Sequence, residues 1–397
     1  MVGPVRGGRR SAPSHGRLLD IVRSQGPVSR VEIAELSGLT QASVSMIVRS
    51  LLEDGLVQEV GTAVSTGGKR RTLLEIAPGA RCAVGVHLEA GSVVYVVTNM
   101  AGGMIGRQRR PLLPGEEPGR LVDRVVREID VLLDLLDVSR DSVVGIGVAA
   151  AGPLDHAAGA LIGSRSVAGS GSLPVRDELS ERTGLPVVLD KDATAAAVGE
   201  FWGARVEEPR SFACLYMGRG IGAGIVINGT SFRGSAANAG EIGHVSLDVH
   251  GAECPCGNRG CLELYAAPPA VVAGARAQGL LADVPEGDVT AAFDSLARAA
   301  VRGEPAARAL VEQSARYVAE SVLTLVNLTD LDLIVLGGPG FAIAGAVYIE
   351  AIRETLGRRF FARGTHGVEV RFSTNPRDAA ALGVSALVLQ RSLAPRD

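Results

Sequence analysis

The sequence predicts an α/β protein: a small winged helix-turn-helix head followed by two similar α/β lobes around a cleft. Three observations predict it. Three short helix patterns and a two-strand pattern with a basic tip precede residue 78. A sequence of strand hairpin, helices and further strands then begins near residue 81 and again near residue 212. A histidine and three cysteines cluster inside the second repeat. At 397 residues the chain also exceeds what one hydrophobic core usually supports.

In residues 15–24 the apolar side chains Leu18, Leu19, Ile21 and Val22 fall on one side of a short helix that Gly26-Pro27 stops. Ser29 caps a second helix, and Glu32, three positions on, completes a capping box. Gly38 ends it. After a tight turn, Thr40 opens a third helix with Val44, Ile47, Val48, Leu51 and Leu52 inward. Its other side carries Gln41, Ser43, Ser45 and Arg49, short or cationic groups suited to base edges in the major groove. An extended segment from Gly55, a basic tip at Lys69, Arg70 and Arg71, and a returning strand over 72–76 complete a wing whose cations suit phosphate.

Charge agrees with that division. Net charge is -3, yet residues 1–71 hold ten Lys/Arg and six Asp/Glu, or +4, leaving -7 for the remainder. A basic head on an acidic body is expected when only the head meets phosphate. The predicted organisation is a flexible basic arm over 1–14, the winged head over 15–78, a first lobe over 79–200 and a second lobe over 201–397, whose last helix returns to the first lobe. No apolar run approaches the roughly 18 residues of a membrane span, and none follows the N-terminal arginines as in a secretory signal. A cytoplasmic protein is expected.

His244, Cys254, Cys256 and Cys261 form the densest group of metal-ligand residue types, with three of the five cysteines inside eight residues. Reduced thiols at such density more often hold metal than pair, and Cys3His with no open position suits one structural zinc per chain. Cys82 and Cys214 lie in apolar strand patterns and read as small buried hydrophobes.

With its glycines, this string (Gly-His, a nine-residue gap, Cys-x-Cys-Gly-x-x-Gly-Cys-Leu-Glu) resembles the ROK family of repressors, open reading frames and sugar kinases. The winged head resembles its transcription-regulator branch. The resemblance spans nearly the whole chain and implies an actin-like, two-lobed ATPase fold after about residue 79. It further implies that Asp192, in the pair Lys191-Asp192, matches the base of the family's kinases. Glu241, His244 and Glu263 match its sugar contacts.

The departures bear on activity. His87-Leu88-Glu89-Ala90-Gly91 stands where the family's first phosphate loop reads roughly Asp-Ile-Gly-Gly-Thr, and Glu89 there repels a nucleotide. Arg219 replaces a threonine in the second glycine loop, and Gly337-Gly338-Pro339 carries a proline for a glycine. Lys191 replaces an asparagine able both to donate and to accept. Serines and glycines fill 164–170, where another asparagine is usual.

The expected protein is therefore not an enzyme. It is a DNA-binding regulator, a repressor of carbohydrate-related genes, whose homodimer or homotetramer grips a double-stranded operator and whose cleft takes a sugar or sugar derivative. Two alternatives stand beside it. One is an active carbohydrate kinase with an added DNA-binding head. The other is a regulator with a vestigial cleft, where Asp192 and Glu263 serve as loop supports and a protein partner carries the signal.

Overall fold

The computed structural model describes residues 14–62, 71–89, 91–113, 115–163, 171–203 and 211–393. Arm residues 1–13, the wing-tip residues Lys69 and Arg70, Ala90 and the stretch 164–170 lie outside them.

In the head, helix Ser14–Gln25 buries Leu18, Leu19 and Val22. Helix Arg30–Ser37 begins with a reciprocal capping box: the Ser29 hydroxyl accepts from the Glu32 N–H, and the Glu32 carboxylate accepts from the Ser29 N–H at 2.7 Å. Gly38 closes it with φ at 69°, a left-handed cap that glycine adopts without strain. Thr40 caps the third helix, Gln41–Glu53, by accepting from the Ser43 N–H at 3.2 Å. Strands Val57–Thr62 and Thr72–Ile76 pair antiparallel, and the short strand Val28–Ser29 joins the other edge of Thr72–Ile76.

Each lobe is built on a five-stranded sheet, and the two sheets share one topology. In the first the order is Val187–Lys191, Val143–Ala150, Cys82–Glu89, Ser92–Asn99 and Met104–Pro111. In the second it is Glu369–Phe372, Leu333–Gly337, Phe212–Met217, Ile221–Ile227 and Thr230–Phe232. The first three strands of each run parallel and the last two join by antiparallel pairing. The sequence pattern gave only a hairpin at the start of the first lobe. Strand Met104–Pro111 escaped it because this edge strand is half exposed and rich in arginine, so it lacks the apolar run of its neighbours.

The lobes meet along a seam of small residues. Helix Asp192–Gly203 crosses the last helix, Ala379–Leu393, so closely that a Cβ on Gly383 would lie 1.7 Å from the Ala195 carbonyl oxygen. The last helix also beds on the first-lobe sheet, where a Cβ on Gly85 would lie 2.0 Å from the Ala381 oxygen. Because strand Glu369–Phe372 belongs to the second-lobe sheet, this helix carries the chain from one lobe back onto the other. Among the described residues no helix is long and apolar enough to cross a membrane.

At this seam Gly383→Ala forces two backbones apart and lowers the unfolding free energy by about 1–3 kcal/mol. The urea midpoint measures it; an unchanged midpoint would mean that the helices do not meet at residue 383.

Candidate functional site

Three groups of side chains carry chemistry. The first is the outer face of helix Gln41–Glu53, where Gln41, Ser45 and Arg49, one turn apart, are exposed. Thr40 and Ser43 lie at its front but are engaged with each other, their hydroxyls 2.9 Å apart. Arg71 is exposed at the start of the returning strand. Sequence patterning missed Met46, which is 70% exposed on the same face. An exposed thioether beside Gln41, Ser45 and Arg49 suits a thymine methyl, and its outward position between Ser45 and Ile47 was the available signal.

The second group is the loop at 244–261. Nδ1 of His244 lies 3.7 Å from Sγ of Cys254, Sγ of Cys256 lies 3.7 Å from Sγ of Cys261, and all four ligand atoms fall within 4.8 Å of one another. Backbone pairing of Ser246 with Cys261 and of Glu253 with Arg259 shapes the loop. Gly260 has φ at 59°, and a Cβ there would lie 1.9 Å from the Asp248 oxygen, so only glycine allows this turn. Burial and the neighbouring thiols Cys254 and Cys256 push the Cys261 thiol up to about 12. Three crowded sulfurs ionise together only around a cation, and the four residues can hold a metal ion.

The third group lies between the lobes. Asp192 opens helix Asp192–Gly203 directly after strand Val187–Lys191, at the carboxyl end of a parallel strand, where clefts of open sheets form. Its carboxylate accepts from the Ala193 N–H at 2.7 Å, and burial pushes its carboxyl up. Lys191 pairs with Glu241, and Asp190 with Arg233. Glu263 sits under the second glycine loop, accepting from the Ile221 N–H at 2.8 Å, and a Cβ on Gly220 or Gly243 would collide with it. With Nδ1 of His244 turned toward the thiols, its Nε2 is the nitrogen left for another partner.

Where the sequence suggested a departed phosphate loop, Glu89 is anchored. Its carboxylate accepts from Arg109 and from the Ser92 hydroxyl, both at 2.8 Å, and lies 3.4 Å from Nδ1 of His87. Arg109 comes from the edge strand that patterning missed. A further contact invisible to pattern joins head to body: Arg23 donates to the Trp202 carbonyl at 2.8 Å, and its guanidinium lies 4.2 Å from the centre of the Trp202 ring.

The molecule is thus a sugar-kinase-like body of two lobes with a winged helix-turn-helix head. Residues 84–391 match the ROK family, and the chain belongs to it. Residues 16–61 match the IclR helix-turn-helix domain. The chain is similar to a putative xylose repressor of Caldicellulosiruptor sp. (strain Rt8B.4), 27% identical over 382 residues and 95% of each chain. It is also similar to NagC, a DNA-binding transcriptional dual regulator of Escherichia coli (strain K12), 29% identical over 383 residues, 95% of this chain and 91% of that one. Among solved structures, a ROK family transcriptional regulator described as a homolog of the E. coli MLC protein shares the fold, with a TM-score of 0.77 at 23% identity over 96% of each chain.

The Glu89 network predicts a pH dependence. Burial alone raises this carboxyl, but the His87 imidazole beside it and the charge of Arg109 hold it at about 2, against an ordinary 4.5. The share supplied by Arg109 is complete above about pH 4.5 and is lost as pH falls toward about 2. Glu89→Gln therefore lowers the melting temperature at neutral pH, and the gap from wild type narrows through that window. A gap independent of pH would contradict the network.

Proposed function

We propose that the chain is a sugar-responsive, DNA-binding transcriptional repressor of carbohydrate-related genes that works in the cytoplasm as a homodimer or homotetramer. The observation that carries this reading is the pairing of an IclR-type head with a sugar-kinase-like body whose first phosphate position holds the anchored carboxylate of Glu89. A fixed anion there repels nucleotide phosphate, so sugar kinase activity is lost. The relatives named as repressors support the same reading.

Gln41, Ser43, Ser45 and Arg49 read base edges, with Thr40 at the helix front, while Arg71 and the wing-tip Lys69 and Arg70 neutralise phosphate. Asp192, Glu241, His244 and Glu263 surround the effector position, and Glu263 also supports the second glycine loop. The signal passes along helix Asp192–Gly203, which begins in the cleft and ends where Trp202 meets Arg23 of the head. Such a ligand alters DNA affinity only by binding unequally to DNA-competent and incompetent forms.

The metal is zinc. Zinc–sulfur bonds of about 2.3 Å in a tetrahedron set sulfurs about 3.8 Å apart, and Cys256 and Cys261 lie 3.7 Å apart. Three thiolates and an imidazole leave no open position, so the ion is structural, holding the loop between Glu241 and Glu263.

Genomic fragments selected by pull-down test the function. The protein binds a pseudo-palindromic subset specifically, Arg49→Ala changes which sequences are preferred, and Lys69→Ala weakens all sequences alike and lowers the salt slope by about 1. Absence of specific binding would defeat the reading, and sugar-dependent ATP turnover abolished by Asp192→Ala would establish the kinase instead. Metal analysis of chelator-free protein should find about one zinc per chain, removed by Cys256→Ser with a fall in thermal stability. Metal-free folded protein would overturn that assignment.

A further inference from the structure

The side chains that stand farthest out on helix Gln41–Glu53 decide what the head meets first. With about 3.6 residues per turn, the buried Val44, Val48 and Leu51 fix the inner side, and the line opposite them runs through Ala42, Met46, Arg49 and Glu53. All four are exposed, Met46 by 70%. The Met46 side chain therefore adds little to the core of the head. Arg49 is the cation on this line and makes no ion pair among the described residues. Glu53 is the anion at its far end and repels phosphate, so the part of the line that fits a groove of DNA is 42–49.

Ala42 is small and Met46 is long. Long helical side chains lean toward the helix N-terminus, over the preceding turn, so Met46 and the Ala42 methyl share one apolar surface next to Arg49. A thioether has no donor and is only a weak acceptor. Pressed against the polar groups of a base edge, it would strip their water and return no hydrogen bond. Thymine alone of the four bases places an apolar group, its C5-methyl, in the major groove. The Arg49 guanidinium is complementary instead to O6 and N7 of guanine. Three residues set Arg49 about 4.5 Å from Met46 along the helix axis, against about 3.4 Å between successive base pairs.

We propose that Met46, with Ala42, takes a thymine methyl of the operator, within about two base pairs of a guanine that Arg49 takes through O6 and N7. This rests on the reading of the head as a DNA-binding module and adds the base chemistry that it selects. The methyl contact is apolar and releases no counterion, so its contribution does not change with salt.

Selection from a random duplex pool by the full-length protein supplies a tight-binding sequence, which is then remade with uracil for thymine at one position at a time. Uracil removes only the methyl. At least one thymine is sensitive, with affinity falling about four-fold for the lost methyl, and by the same factor at about 50 and 200 mM salt. Met46→Ala binds the thymine and uracil duplexes alike, whereas Met46→Leu keeps the preference. Lower salt keeps a weakened variant measurable, and melting temperatures control for folding. 7-Deazaguanine, placed for each guanine in turn, lowers wild-type affinity by about five-fold or more at a guanine within about two base pairs of that thymine, and has no effect there in Arg49→Ala. Absence of any uracil-sensitive thymine, sensitivity that survives in Met46→Ala, or an Arg49-dependent guanine farther away than that would overturn the inference while leaving specific DNA binding in place. Failure to select any sequence would remove the DNA-binding reading and this inference with it.

Discussion

The close crossing of helices Asp192–Gly203 and Ala379–Leu393 is the constraint on which the rest of the molecule depends. Alanine and glycine line the crossing, with Ala195, Ala196, Ala380 and Ala381 wholly or almost wholly buried, so two backbones approach to a distance that larger side chains would prevent. The crossing fixes one helix of 12 residues, about 18 Å long, between the cleft and the head. Asp192 stands at its start beside Lys191, and Trp202 stands near its end against Arg23. Asp192 and the Arg23 contact thus lie on one helix.

Two further devices hold the cleft in shape. Glu263 reaches under the glycine loop at 220–222, and the metal-ligand loop joins Glu241 to Glu263 through His244 and Cys261. Glu263, proposed as an effector contact, thus also fixes a loop, and the two roles do not compete for the same atom: the oxygen that meets the Ile221 N–H leaves its other oxygen for a second partner. On the opposite wall Arg109 and Ser92 restrain Glu89, so this anion is held in place and is not a solvated side chain.

Much of this architecture was legible in the sequence because it rests on local rules. The capping box at Ser29 and Glu32, the glycine stop at Gly38 and the inward Val44, Ile47 and Val48 all depend on residues a few positions apart. The apolar strands and the spacing of His244, Cys254, Cys256 and Cys261 were equally local. What escaped was set by partners distant in sequence. The pattern in Met104–Pro111 looks polar until Ser92–Asn99 is placed beside it. Lys191 was visible as a departure from asparagine, but its pairing with Glu241 follows only once the second lobe folds over the first. The Arg23 contact with Trp202 spans 179 positions, and no periodicity encodes it.

Operator affinity with and without a bound effector, compared in wild type and in Arg23→Ala, tests the central claim most directly. The account predicts that the effector changes the affinity of the wild type, and that Arg23→Ala still binds effector and operator but loses most of that change. Operator binding indifferent to every cleft ligand, or an undiminished response in Arg23→Ala, would contradict the coupling of cleft to head through helix Asp192–Gly203.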